Sequence, residues 1–136
     1  MKLDPDSCRE RVARASHGVL ATVHASRGVD LVPVVFAMAS GKILIPVDTV
    51  KPKRSTVLQR VTNLEADPRC ALLVEHYSDD WDELWWVRVH GRAEASGVTD
   101  SALESLCERH PRYRAVGAVV AVVTLTPESM TGWAAT

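Results

Sequence analysis

A chain of 136 residues with 46% hydrophobic and 24% charged residues can build one cored domain, read as a single unit over residues 1–136. Its formal net charge of −1 gives no general attraction to nucleic acid or anionic membrane, so neither is an expected partner. No apolar stretch approaches the roughly 18 residues of a membrane span, and Met1-Lys2-Leu3-Asp4-Pro5-Asp6 lacks the layout of a signal peptide, so a cytoplasmic location is expected. Cys8, Cys70 and Cys107 are odd in number and contain no C-x-x-C pair. They support neither a zinc site nor a disulfide framework and read as buried or idle thiols.

In chain order, Asp4-Pro5 reads as an N-cap with proline at the first helical position, opening a helix to about Ala15. Gly18 to Ala25 reads as a strand, Ser26-Arg27-Gly28 as a hairpin turn, and Asp30 to Ala39 as a second strand. Pro33 within that strand implies an edge, a bulge or a place where backbone faces a ligand. Ser40-Gly41 turns the chain into a third strand, Lys42 to Val47. A helix from Thr56 to about Ala66 ends at Asp67-Pro68 and leads into a fourth strand, Arg69 to Tyr77. The fifth, Leu84 to Ala95, alternates: Trp86, Arg88, His90 and Arg92 on one face, Trp85, Val87 and Val89 on the other. Thr99-Asp100 caps a helix ending near His110-Pro111, and Ala115 to Thr126 is the last strand. The total is about six strands with small inserted helices, a pattern that commonly closes into a barrel and so removes exposed sheet edges. No βαβ alternation and no G-x-G-x-x-G is present, which argues against a Rossmann domain.

The segment Val50-Lys51-Pro52-Lys53-Arg54-Ser55-Thr56 packs three cations and two hydroxyls between a strand and a helix. A helix start presents unpaired N–H groups and the positive end of its dipole, so Lys51, Lys53 and Arg54 there suit a phosphate or another small anion. The same residues also make an ordinary solvated turn with Ser55 or Thr56 as its N-cap. Trp81, Trp85 and Trp86 cluster at one strand start, where a tryptophan pair usually buries apolar area or an interface. Stacking near a cofactor or substrate is the alternative. Strand histidines such as His76 and His90 are ordinarily structural, and no paired acid marks either as a base. Asp79, Asp80, Asp82 and Glu83 lack the glycine and distal glutamate of a calcium loop and read as a solvated acidic turn. No nucleophile elbow, metal triad or carboxylate pair is visible, so no catalytic side chain is named.

Several segments together carry a family resemblance: Gly18-Val-Leu-Ala-Thr-Val23, Leu31-Val-Pro-Val-Val-Phe36, Val47-Asp-Thr-Val-Lys-Pro-Lys53, Asn63-Leu-Glu-Ala-Asp-Pro-Arg69, Leu73-Val-Glu-His-Tyr77 and Asp80-Trp-Asp-Glu-Leu-Trp-Trp-Val-Arg-Val89. Over about residues 10 to 133 the chain resembles the flavin/deazaflavin oxidoreductases of the pyridoxamine-phosphate-oxidase-like superfamily, in the actinobacterial branch dependent on coenzyme F420. The resemblance implies a mainly β fold with short helices, a six-stranded split β-barrel of the FMN-binding type. It also implies a homodimer with cofactor sites at the subunit interface. Carried over, Val32, Pro33 and Val34 would flank the tricyclic ring. Lys51, Lys53, Arg54 and Ser55 would meet the phosphate, and Arg60 and Asn63 would line that end from the helix. Arg60 stands where many relatives carry lysine, which keeps the charge but changes the hydrogen-bond geometry. His76, Trp86 and Arg88 are further candidate cofactor neighbours. The implied function is hydride transfer between reduced coenzyme F420 and an unsaturated or quinone-like acceptor, with the cofactor performing the chemistry. The alternatives are an FMN-dependent oxidoreductase or oxidase of the same fold, or a non-catalytic carrier. The C-terminal arginine motif that grips substrate in pyridoxamine phosphate oxidase is not visible in Met130-Thr-Gly-Trp-Ala-Ala-Thr136.

Overall fold

A computed structural model describes residues 1–48 and 58–136. The expected helix start at Thr56, the basic residues Lys51, Lys53 and Arg54, and Ser55 lie outside the described residues. Among the described residues seven strands form one antiparallel sheet: β1 (His17–His24), β2 (Gly28–Val35), β3 (Ala37–Ala39), β4 (Lys42–Asp48), β5 (Arg69–His76), β6 (Trp85–Ser96) and β7 (Val119–Ala134). Their order is β2-β1-β5-β6-β7-β4-β3. The two edge strands, β2 and β3, are separated in sequence only by Phe36, so the sheet must curl until its edges meet. That curl is the split barrel.

The six-strand expectation is corrected to seven at Phe36. Its N–H donates to Ser16 O at 3.1 Å, and its carbonyl accepts from His110 Nε2 at 2.8 Å. Both backbone groups thus leave the ladder, and the continuous strand expected over residues 30–39 divides there. The last strand starts later than expected, at Val119 after Gly117 turns with φ +73°, and it runs on to Ala134. Pro127 reads locally as a stop. It is tolerated because the β6–β7 register shifts at His90/Gly91, a bulge that removes the need for its missing N–H. A Cβ on Gly91 would lie 2.2 Å from the Thr126 carbonyl oxygen, so the close approach of these two backbones requires glycine.

Alternation sets what fills the barrel. Leu20, Leu72, Val74, Val87, Val89, Val123 and Leu125 are buried inside it with Phe36, Ile43 and Ile45. Strand β4 is buried on both faces, because Leu44 joins a second core under α3 with Leu106, Cys107, Tyr113 and Val122. This explains its uninterrupted apolar run. Helix α1 (Pro5–Arg14) is capped by Asp4, which accepts from Ser7 N at 2.8 Å, and inserts Cys8 and Val12 into the first core. Helix α2 (Gln59–Ala66) follows an extended Leu58 and contributes Leu64. Helix α3 (Asp100–Arg109) is capped by Thr99, which accepts from Ala102 N at 3.2 Å. All three cysteines are buried and free. No helix among the described residues is long and apolar enough to cross a membrane.

Candidate functional site

The candidate residues divide between two ends of the barrel. At the α2 end, Asn63 is 3% exposed and fully engaged. Its Nδ2 donates to Thr22 Oγ1 and to Asp30 Oδ2, both at 2.9 Å, and its Oδ1 accepts from Gln59 Nε2 at 2.9 Å. These bonds tie α2 to β1 and β2. Arg27 grips Asp30 from the other side with two bonds of 2.8 and 2.9 Å. The Arg27 bonds, followed by the Asn63 bond, draw the Asp30 pKa down to about 2. One turn before Asn63, the Arg60 Nε is buried without a hydrogen-bond partner among the described residues. Burial lowers the Arg60 pKa, and the nearby Asp48 carboxylate only partly opposes that effect. Asp48 itself accepts from Tyr113 Oη at 2.9 Å. Burial first, and then this bond, push the Tyr113 pKa up to about 12.

The β2 candidates alternate as the pleat requires. Val34 is buried, Val32 is partly buried against the barrel core, and Pro33 faces outward. Pro33 lies on the edge strand, one of the three placements its residue type allowed, opposite Val19 of β1. From there one row crosses the sheet through Leu73 and Arg88 to Thr131.

At the other end, His76, Trp86 and Arg88 come together. They line a groove of about 480 Å³ with Leu73, Trp85 and Trp133. The Arg88 guanidinium lies 4.6 Å from the Trp86 ring centroid, and the His76 ring stacks near Trp85 at 6.5 Å. His76 Nε2 is 3.8 Å from Glu83, an ion pair when the histidine is protonated. Trp133 sits directly across the ladder from Trp86. Sequence reading missed Trp133 by stopping the last strand at Thr126, although Thr131 and Trp133 alternate with the buried Gly132 and Ala134. It also missed Thr22 and Asp30, the partners of Asn63, for which long-range pairing leaves no local signal.

Two further histidines and the acidic turn fall outside both groups. His90 is exposed on β6, and His24 Nδ1 accepts from Ser26 N and Arg27 N in the first hairpin turn. The acidic segment holds a short 3-10 turn, Trp81–Glu83, capped by Asp80, which accepts from Asp82 N at 3.0 Å. Among the described residues no group of three or more His, Cys, Asp or Glu is arranged to hold a metal ion.

Similar proteins share this architecture. A conserved hypothetical protein of Mycobacterium tuberculosis superposes with a TM-score of 0.75 at 22% identity, over 98% of this chain and 86% of that one. An FAD-binding protein of Mesorhizobium loti gives 0.72 at 18% identity, over 97% and 95% of the two chains. The FAD-binding protein of Mycobacterium smegmatis gives 0.64 at 13% identity, over 98% and 97%. At these identities the likeness concerns the fold. No curated protein matches the sequence. The model of the pyridoxamine 5'-phosphate oxidase family matches residues 5–134, nearly the whole chain, and the protein belongs to that family.

Proposed function

We propose that this chain is an oxidoreductase that uses a flavin-type cofactor, with coenzyme F420 preferred and FMN the alternative. Its acceptor is an unsaturated or quinone-like small molecule. The observation that carries the reading is Arg60: a cation with a buried, unbonded Nε, only six residues after Arg54 in the basic segment. A buried N–H without an acceptor is costly, and a phosphate or carboxylate oxygen from a ligand would satisfy it. The site therefore fits a phosphorylated cofactor. Arg60, with Lys51, Lys53, Arg54 and Ser55, would hold the phosphate and, in coenzyme F420, the anionic tail. Asn63 orients the helix that carries Arg60. His76, Trp86 and Arg88 would wall off water from a planar group, and Pro33, backed by Val32 and Val34, would leave a backbone edge free beside it. When bound, the tricyclic ring supplies the hydride chemistry.

The homodimer belongs to this proposal. On β6, Trp86 and Arg92 are six residues apart, so the aromatic and α2 ends stand roughly 20 Å from each other in one chain. Between them the outer sheet face exposes Val29 (62%), Leu31 (69%) and Leu73 (38%). Two-fold pairing across that face would cover these side chains and bring the aromatic end of one protomer toward the α2 end of its partner.

Fluorescence titration with coenzyme F420 and with FMN tests the reading. Coenzyme F420 should bind more tightly, and Arg60→Gln should weaken binding about tenfold, or ~1.4 kcal/mol. Binding of FMN alone reverses the cofactor order, and binding of neither removes the proposal. Turnover is then followed as loss of reduced cofactor against a panel of quinones, enones, tetrapyrroles and nitroaromatics. Tight binding without turnover of any acceptor makes the chain a carrier.

A further inference from the structure

A second cavity shares Trp85 with the aromatic groove. It holds about 370 Å³ and is lined by Ser7, Glu10, Arg11, Arg14, Ala15 and Trp85. Ser7, Arg11 and Arg14 fall at helical spacing on one face of α1, which turns that face toward the start of β6. The Arg11 guanidinium rests over the Trp85 ring, 5.1 Å from its centroid. Its Nε is buried and has no hydrogen-bond partner among the described residues. Basic residues in the last turn of a helix ordinarily answer its dipole from hydrated surface positions. Arg11 differs, because part of its fork has left water without gaining an acceptor.

The charges around it define the missing partner. Arg14 Nη2 pairs with Glu10 at 2.7 Å, so these two cancel. Among the described residues Arg11 has no carboxylate of its own, which leaves one uncompensated positive charge facing the cavity. One charge calls for a monoanion, and a guanidinium edge matches a carboxylate in a bidentate pair. The volume is at the small end of ligand pockets, and the indole offers an apolar wall. We infer that this cavity is a binding site for a small organic carboxylate of about benzoate size, with Arg11 as the anion partner and Trp85 as the wall. The anion partner Arg11 lies outside the cofactor site, and Trp85 is the one residue that lines both this cavity and the aromatic groove.

Calorimetric or NMR titration of the full chain with benzoate, and with benzamide as its neutral isostere, tests it. Benzoate should bind saturably and benzamide at least tenfold more weakly. Arg11→Gln should weaken benzoate at least tenfold, and Arg11→Lys, which keeps the charge without the fork, should fall between. Glu10→Gln frees Arg14 and should strengthen benzoate binding, a direction that a purely structural role for α1 does not give. Absence of saturable benzoate binding overturns the inference, as do equal binding of benzamide and unchanged affinity in Arg11→Gln. If benzoate fails and Arg11→Gln instead shifts the oligomeric state, the occupant is a second copy of this chain and the ligand site is refuted.

Discussion

The two ends of the barrel are held together by different physics. At the α2 end, directional bonds do the holding: Asn63 links three elements through Thr22, Asp30 and Gln59, and Tyr113 ties α3's following turn to Asp48 of β4. At the aromatic end, the contacts are broad and non-directional, with Trp85, Trp86, Trp133 and His76 arranged around an open groove. Burial follows the same division. Asn63 is 3% exposed, whereas Trp133 keeps 38% of its surface in water. A closed polar network is intolerant of losing a member, because each partner left behind is a buried group without a bond. An open apolar surface tolerates substitution within the monomer and is suited to contact with something else. The α2 end therefore bears on folding, and under the proposed dimer the sheet face leading to the aromatic end would bear on association.

The largest expected effect breaks the polar end. Asn63→Leu removes three hydrogen bonds and strands Thr22 Oγ1, so it should destabilise the chain by about 2–4 kcal/mol in denaturant unfolding. A loss below about 0.5 kcal/mol would show that the network is dispensable and would dissolve the contrast between the ends. Leu31→Asp tests the other side of the comparison. Leu31 lies outside the barrel core, so near-UV circular dichroism should stay native while sedimentation of the proposed dimer shifts to monomer. An unfolded variant would mean that this face supports the monomer itself, and an intact dimer would place the interface elsewhere.

The smallest effect is pH dependence at the polar end. The Asp30 carboxyl has its pKa drawn down to about 2, below its ordinary value near 3.8, by Arg27 and then by Asn63. A depressed folded-state pKa adds stability that is full above the ordinary value and is lost as pH falls through the folded one. Thermal stability should therefore decline between about pH 4 and pH 2, and Asp30→Asn should flatten part of that decline. Asp67, held down to about 2 mainly by its bond from Arg69, contributes over the same range and keeps the flattening partial. An identical acid profile in Asp30→Asn would show that Arg27 and Asn63 do not favour the ionised carboxylate.

Much of the architecture is legible residue by residue. The alternation of Trp86, Arg88 and His90 against Val87 and Val89 assigns the two faces of β6 correctly, because pleat geometry is local. The caps Asp4 and Thr99 mark two helix starts for the same reason, and Pro33 marks an edge because it has no N–H to donate. The fate of Trp85 and Trp86 on opposite faces is likewise written in their adjacency, and the common face of Trp86 and Arg88 in their spacing.

What the tertiary structure decided is where local signals are overruled by distant partners. Phe36 breaks a continuous valine-rich strand only because Ser16 and His110 take its backbone groups. Pro127 fails to end β7 only because a bulge opposite Gly91 absorbs it. Asn63 is a cofactor neighbour only by family resemblance, and its three bonds run to Gln59, Thr22 and Asp30, the latter two 41 and 33 residues away. Arg11 carries no signal in the sequence reading, and only the fold lays it over Trp85. Periodicity and capping are encoded within a few residues of where they act. The pairing of a buried polar atom is settled by whichever groups the closed barrel brings beside it, and that information exists only once the chain has folded.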